Sequence, residues 1–394
     1  MNYEIKTLNE LSLDGRGSYG IAASAVPYSD ELYTYLRITD IKDDGNLDKS
    51  NLMSVADKKA YNYTLKKNDI VFARTGASTG RNYFYDETDG ELVYAGFLIK
   101  FSLDVKKINP KFVKYYCQSK AYKDWIHSFN TGSTRGNINA KTYGTLPIPV
   151  FPRNYQNKVV SILDSIDLKI KNNIDINNNL EQQAQAIFSN EFLTLETLPD
   201  GWKQASLIDI ADYLNGLAMQ KYRPTVDETG IPVLKIKELR QGCCDDNSEL
   251  CSPNIKSEYI IHDGDVIFSW SGSLLVDFWC GGICGLNQHL FKVTSNKFDK
   301  WFYYVWTKHH LDRFIAVAAD KATTMGHIKR DELSKAAVLI PTEADYKRIE
   351  ALLQPIYDLI IANRIENKKL AETRDTLLPK LMSGEIDISE VDYE

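Results

Sequence analysis

The 394-residue chain has no apolar run approaching the ~20 residues of a membrane span. Its opening, Met1-Asn2-Tyr3-Glu4-Ile5-Lys6, lacks the basic cluster and apolar stretch of a secretory leader, so a cytoplasmic location is expected. Cysteine is scarce: Cys117 stands alone, and Cys243, Cys244, Cys251, Cys280 and Cys284 share one segment. Their spacings do not repeat a CxxC pair, which disfavours a structural zinc and leaves reduced thiols as the expectation. Also missing are a glycine-rich cofactor loop after a strand, a P-loop, a metal-dependent nuclease constellation and a Ser-His-Asp spacing. The chain is therefore expected to hold no metal and no cofactor and to have no catalytic residues.

Excess positive charge is lacking too. The formal net charge is −6, which by itself disfavours a polyanionic partner. The distribution is uneven, however. Residues 1–152 carry 20 basic and 17 acidic side chains, whereas residues 342–394 carry 7 and 12. A local basic face is compatible with an acidic total.

The strongest positive signal is repetition. Ile162-Leu163, Ile166, Ile170, Asn173, Asn177 and Leu180 recur 190 positions later as Leu352-Leu353, Ile356, Ile360, Asn363, Asn367 and Leu370. Gly136 and Ile138 match Gly326 and Ile328. With small slips of register, Ile148-Pro149 matches Ile340-Pro341, and Asp69-Ile70-Val71-Phe72 matches Asp265-Val266-Ile267-Phe268. Two similar halves imply internal two-fold pseudosymmetry. Duplex DNA is a common target that presents two similar faces a fixed distance apart.

Four blocks follow. Residues 1–152 read as mixed strands and turns. Leu36-Arg37-Ile38-Thr39-Asp40-Ile41 alternates like a strand, Asp44-Gly45 marks a turn, Ile70–Ala73 is a buried strand, and Lys111 to Phe129 has helical spacing. Residues 153–197 hold a helix expected from about Tyr155 to Asn190, with Asn154 as its N-cap. Residues 198–341 repeat the first block loosely. Residues 342–394 hold a second helix, opened by a Thr342/Asp345 capping box, ended by Pro379 and Ser383-Gly384, and followed by an acidic, frayed tail.

Both helices carry a heptad seam. In the first, Leu163, Ile166, Ile170, Asn173 and Leu180 lie on it; in the second, Leu353, Ile356, Ile360, Asn363 and Leu370 do. Each helix is roughly 50 Å long, too long a stripe for one small domain to cover. Antiparallel pairing of the two is expected. Asn173 and Asn363 then fall near the midpoints, where buried amides fix register and amides at the seam edge are merely hydrated.

Two pairs of matching loops are candidates for DNA contact. The first pair is Arg74-Thr75-Gly76-Ala77-Ser78-Thr79-Gly80-Arg81 and Ser269-Trp270-Ser271-Gly272-Ser273. The second contains Ser133, Thr134, Arg135 and Asn137, matched by Thr323, Thr324 and His327, with Lys329 close by. Hydroxyls and guanidinium groups suit phosphates; arginine can read guanine, and asparagine or glutamine adenine. Unlike residues in matching loops are what two different half-sites require. His309-His310, in an aromatic segment with Trp301, Tyr303, Tyr304 and Trp306, reads either as a stacking surface or as a mostly buried helix.

Leu146-Pro147-Ile148-Pro149 leading to Tyr155-Gln156-Asn157-Lys158-Val159, and Val338-Leu339-Ile340-Pro341 leading to Tyr346-Lys347-Arg348-Ile349, carry a family resemblance. The whole chain resembles the specificity subunit of a type I restriction–modification enzyme. Many members have Glu-Gln at the helix start; here Tyr155 precedes Gln156, and the second copy has Tyr346-Lys347. The resemblance implies an α+β fold with two target-recognition domains joined by an antiparallel coiled coil that acts as a spacer. It implies a bipartite double-stranded DNA target, two modification subunits that bind S-adenosylmethionine, and restriction–translocase subunits that use ATP. Two other classes compete with this reading: an internally duplicated DNA-modifying enzyme, and a coiled-coil scaffold that binds only proteins.

Overall fold

A computed structural model describes residues 2–129, 137–320 and 330–388. The chain divides into two compact units, Met1–Leu168 with Glu372–Glu394, and Lys169–Ala371. Both long helices contribute to both units: the first helix is Arg153–Phe188, continued by a wider turn at Ser189–Leu193, and the second is Glu343–Ser383. No helix among the described residues is long and apolar enough to cross a membrane.

In the first unit, a four-stranded sheet runs in the order Ser18–Tyr19, Leu98–Ser102, Asp69–Ala73, Asn82–Phe84, all antiparallel. The expected strand at Ile70–Ala73 is its fully buried centre. A second sheet pairs Tyr33–Leu36 in parallel with Leu92–Tyr94 and antiparallel with Met53–Val55. Glu4–Thr7 closes on Pro147–Val150.

The second unit repeats this topology. Its main sheet has the order Asp212–Asn215, Leu290–Thr294, Val266–Ser269, Leu275–Phe278. Ile231–Leu234 runs parallel to Cys284–Leu286, and Lys203–Ser206 closes on Ala337–Ile340. A part-buried ion pair recurs beside the central strands: Lys100 Nζ lies 3.2 Å from Asp69, and Lys292 Nζ lies 2.8 Å from Asp265.

Several local expectations are corrected. Only Tyr33–Leu36 is strand; Ile38–Asp40 forms a 3₁₀ turn because Asp40 accepts from the Arg37 backbone N–H and pairs with its guanidinium. The segment Lys111 to Phe129 is two helices, Pro110–Tyr116 and Lys120–His127, with Ser119 capping the second. The first long helix starts at Arg153, two residues earlier than expected. Gln156 N–H donates to the Pro152 carbonyl, so Asn154 lies inside the first turn and is not the cap. Pro379 does not end the second helix, which continues to Ser383 because Leu378, Leu381 and Met382 are buried in the core of the first unit. The tail does not fray at once: Ile388 is buried in that core. The Thr342/Asp345 box is present, with the Thr342 hydroxyl donating to Asp345 at 2.8 Å.

The seam ends are absorbed into the cores of the units. In the first unit, Val159, Val160 and Leu163 pack with Leu378, Leu381 and Met382. In the second, Leu180, Ala184, Ile187 and Phe188 belong to the same core as Leu353, Ile356 and Ile360. Beside this apolar stretch, the second unit also holds a polar stretch of the seam. Asn363 donates to Asn177 at 2.8 Å, Asn177 donates to the Ile360 carbonyl at 3.2 Å, and Asn173 donates to Asn367 at 2.8 Å and to Glu366 at 2.7 Å. Partner numbers fall as residue numbers rise, which is antiparallel pairing. Asn173 and Asn363 are buried, not hydrated at an edge. Ile166, Ile170 and Leu370 are half-buried.

The tyrosines at the starts of the two long helices serve the chain's own packing. Tyr155 is buried and donates to the Leu381 carbonyl at 2.9 Å. Tyr346 donates to Asp299 at 3.0 Å. Gln156, also buried, accepts from Asn109 N–H and donates to the Phe151 carbonyl.

Candidate nucleic-acid interface

The loop after Asp69–Ala73 starts where Arg74 leaves the sheet, its N–H donating to the Phe97 carbonyl at 3.0 Å. Gly76 has φ +75°, a left-handed turn that a side chain would strain. The loop folds on itself: Thr79 donates to the Gly76 carbonyl at 2.8 Å, and Ser78 is buried. The two arginines differ in their commitments. Arg81 Nε donates to Asp43 at 2.6 Å and Nη1 to the Ile41 carbonyl at 3.2 Å. Arg74 lies over the Tyr19 ring, 5.1 Å from its centroid, and donates weakly to Asn137 Oδ1 at 3.4 Å. Its Nε is buried without a hydrogen-bond partner. Thr75 and Asn137 form an isolated bridge that brings the start of the second predicted loop beside the first.

Tyr19 and Phe97 complete this cluster. They are 43% and 59% exposed, which leaves both rings open to solvent beside Arg74. Tyr19 is fixed by its hydroxyl, which accepts from Ala140 N–H at 3.1 Å. The glycine after it is required. A Cβ on Gly20 would sit 2.2 Å from the Tyr94 carbonyl oxygen.

The second unit places different side chains at the same topological positions. Asn215 stands for Tyr19, Trp270 for Arg74, and His289 for Phe97. Trp270 Nε1 donates to Asn215 Oδ1 at 3.1 Å, and its ring stacks on Phe291 with centroids 5.5 Å apart. The Ser271 hydroxyl lies 3.2 Å from His289 Nδ1, and Gln288 Nε2 lies 3.4 Å from His289 Nε2. Gly216 repeats the close approach, with a built Cβ 2.2 Å from the Asn287 carbonyl oxygen. Ser269 is fully buried and donates to the Ser273 carbonyl at 2.9 Å, so it shapes the turn.

The structure thus brings Arg74, Thr75 and Asn137 together in one cluster, and Trp270 and Ser271 in the other. Ser133, Thr134, Arg135, Thr323, Thr324, His327 and Lys329 lie outside the described residues. Tyr19, Phe97, Asn215, Gln288 and His289 were missed from the sequence. Their signal was present in the matching steps Tyr19-Gly20-Ile21 and Asn215-Gly216-Leu217, and Phe97-Leu98 and His289-Leu290.

The aromatic helix Lys300–His309 is mostly buried and forms core, with Trp301, Phe302, Tyr304 and Trp306 inside. Burial holds the imidazoles of His309 and His310 below their usual range. Among the described residues no group of three or more His, Cys, Asp or Glu is placed to hold a metal ion.

One scaffold built twice, with unlike, part-exposed or exposed side chains at matching positions, is the arrangement expected of a paired recognition protein. Comparison with known proteins agrees. The family described as type I restriction modification DNA specificity domain matches residues 3–182 and again 199–372. The chain is 24% identical over 306 residues to the type I restriction enzyme MjaIX specificity subunit of Methanocaldococcus jannaschii, covering 71% of this chain and 70% of the relative. It is 19% identical over 401 residues to the HindI specificity subunit of Haemophilus influenzae, covering 82% and 87%. The crystal structure of a type I restriction–modification S subunit from M. genitalium superposes with a TM-score of 0.59 at 17% identity, covering 97% of this chain and 96% of that one. The chain belongs to the type I restriction–modification DNA specificity family, as a specificity subunit with two such domains that is not catalytic alone.

Proposed function

We propose that each domain reads one half of a bipartite duplex site and that the paired helices set the unread gap. The observation that supports this most directly is the substitution of Tyr19, Arg74 and Phe97 by Asn215, Trp270 and His289 on one repeated scaffold. Identical readers would serve a symmetric site; unlike readers serve two different half-sites. Residues 1–152 and 198–341 are the recognition domains in this reading, with residues 153–197 and 342–394 as spacer helices. The partners are two modification subunits that bind S-adenosylmethionine and restriction–translocase subunits that use ATP, working in the cytoplasm. Both cofactors belong to those chains and neither to this one.

The test is an exchange. Residues 1–152 are replaced by the equivalent region of a relative, the complex is assembled with its modification subunits, and methylated adenines are mapped by sequencing. One half of the motif should change and the other persist. A change in both halves sinks the two-reader assignment.

A further inference from the structure

We infer that Arg74 reads a guanine in the major groove, end-on through Nη1 and Nη2, and that Tyr19 is its positioning residue. The inference rests on the two-reader function proposed above and names the base that the first domain recognises.

The argument begins from which donors remain available. Arg81, seven residues away, is spent on Asp43 and the Ile41 carbonyl. Arg74 has no carboxylate partner among the described residues. Its neck is enclosed, with Nε buried and unpaired, so side-on recognition through Nε is closed. Its Nη2 end lies in an exposed contact with Asn137, and Nη1 has no partner among the described residues. A guanidinium with a buried neck and an open fork presents two parallel N–H donors. O6 and N7 of guanine present two matching acceptors, and no other base offers that pair on its major-groove edge.

Orientation comes from below. The Tyr19 ring lies under the guanidinium, and the Tyr19 hydroxyl is tied to Ala140 at the start of the helix Ala140–Gly144. The Ser18–Tyr19 strand is held on Leu98–Ser102. A planar cation stacked on a fixed ring loses little further freedom when it docks, which favours a base edge over a loosely held phosphate. The second domain has Trp270 at the matching place, so this chemistry belongs to one half-site alone.

The motif is first mapped from methylated adenines, and the half belonging to the first domain is assigned by the exchange of residues 1–152. Absence of a bipartite motif would fail the proposed function itself. Duplexes are then made with 7-deazaguanine, which lacks the N7 acceptor, at each guanine of that half. Methylation by the assembled complex is measured as kcat/KM. At one position the wild-type complex should lose roughly tenfold. Arg74→Ala should treat guanine and 7-deazaguanine alike there, while still requiring the other half-site, which serves as the control for folding. Arg74→Lys keeps the charge but not the fork and should behave like Arg74→Ala. Tyr19→Ala should shrink the penalty, and Tyr19→Phe, which keeps the ring, should retain it. A half-site without guanine, a wild-type complex indifferent to 7-deazaguanine, discrimination that persists in Arg74→Ala, or full activity of Arg74→Lys would each overturn the assignment. Equal loss in Tyr19→Phe and Tyr19→Ala would remove the ring as the platform.

Discussion

The side-chain amide of Asn363 donates to Asn177 Oδ1 at 2.8 Å, and both residues are buried. Replacing one of them with leucine leaves the other amide facing hydrocarbon, at a cost of about 1–3 kcal/mol. Asn177→Leu and Asn363→Leu should each lower the urea midpoint of unfolding. The double variant should recover most of that loss, because neither partner is then left unsatisfied. Complexes assembled on it with the modification subunits should nonetheless methylate less efficiently, since an apolar seam no longer penalises slippage. A double variant less stable than either single one would show that the amides do not act as a pair.

Arg364 offers a second test within the second unit. Its Nη1 lies 2.7 Å from Asp277 and its Nη2 2.9 Å from Glu181, joining a sheet strand and both long helices. Arg364→Met removes the cation and leaves two carboxylates together. With the group partly exposed, a loss of about 1–3 kcal/mol is expected, below that of a fully buried pair. Adding Asp277→Asn should restore part of it in the same denaturation measurement.

Acid sensitivity should have two sources. Burial alone would raise the carboxyl of Asp167, but the Lys114 ammonium, the Tyr115 hydroxyl and the Arg374 guanidinium hold it below its usual value. Its contribution is therefore complete above about pH 4 and is lost as pH falls through the lower folded value. Asp167→Asn should flatten that acid limb. His310 differs. Burial depresses its pKa, with Nε2 2.8 Å from the Ala337 carbonyl oxygen. The unfolded chain then takes up a proton near pH 6.5 that the fold resists, so stability declines as pH falls below about 6.5. His310→Gln keeps a donor to Ala337 without titrating and should remove part of this slope, the rest remaining with His309. Melting temperatures between pH 7.5 and 2.5 check both.

Trp270→Ala should impair one half-site only. The indole bonds Asn215 and stacks on Phe291, so its loss disturbs the whole second cluster. Affinity for the second-domain half-site is expected to fall by about 1–3 kcal/mol, with selectivity at the first half-site unchanged. Binding assays with each half scrambled in turn would show equal losses in both if Trp270 were merely structural.

Much of the architecture was legible because it depends on periodicity. Heptad spacing located both long helices to within a few residues, and the 190-residue echo announced two units before any contact was known. What stayed hidden depends on single local contacts. The Arg37–Asp40 clasp curls an alternating segment into a 3₁₀ turn. Burial around Leu381 carries a helix past Pro379. The candidate clusters were only half visible: Arg74 and Trp270 stood in recognisable loops, whereas Tyr19 and Phe97 are distant in sequence and reach Arg74 only through the sheet.

The crowded glycines have an evolutionary corollary. Gly20 and Gly216 leave no room for a methyl group against a crossing backbone, so those two places are frozen. Their immediate neighbours, Tyr19 and Asn215, already differ. Immovable and mutable positions sit side by side in the chain. If the proposed reading holds, new target preferences can arise by drift at the neighbours, with the scaffold beneath untouched.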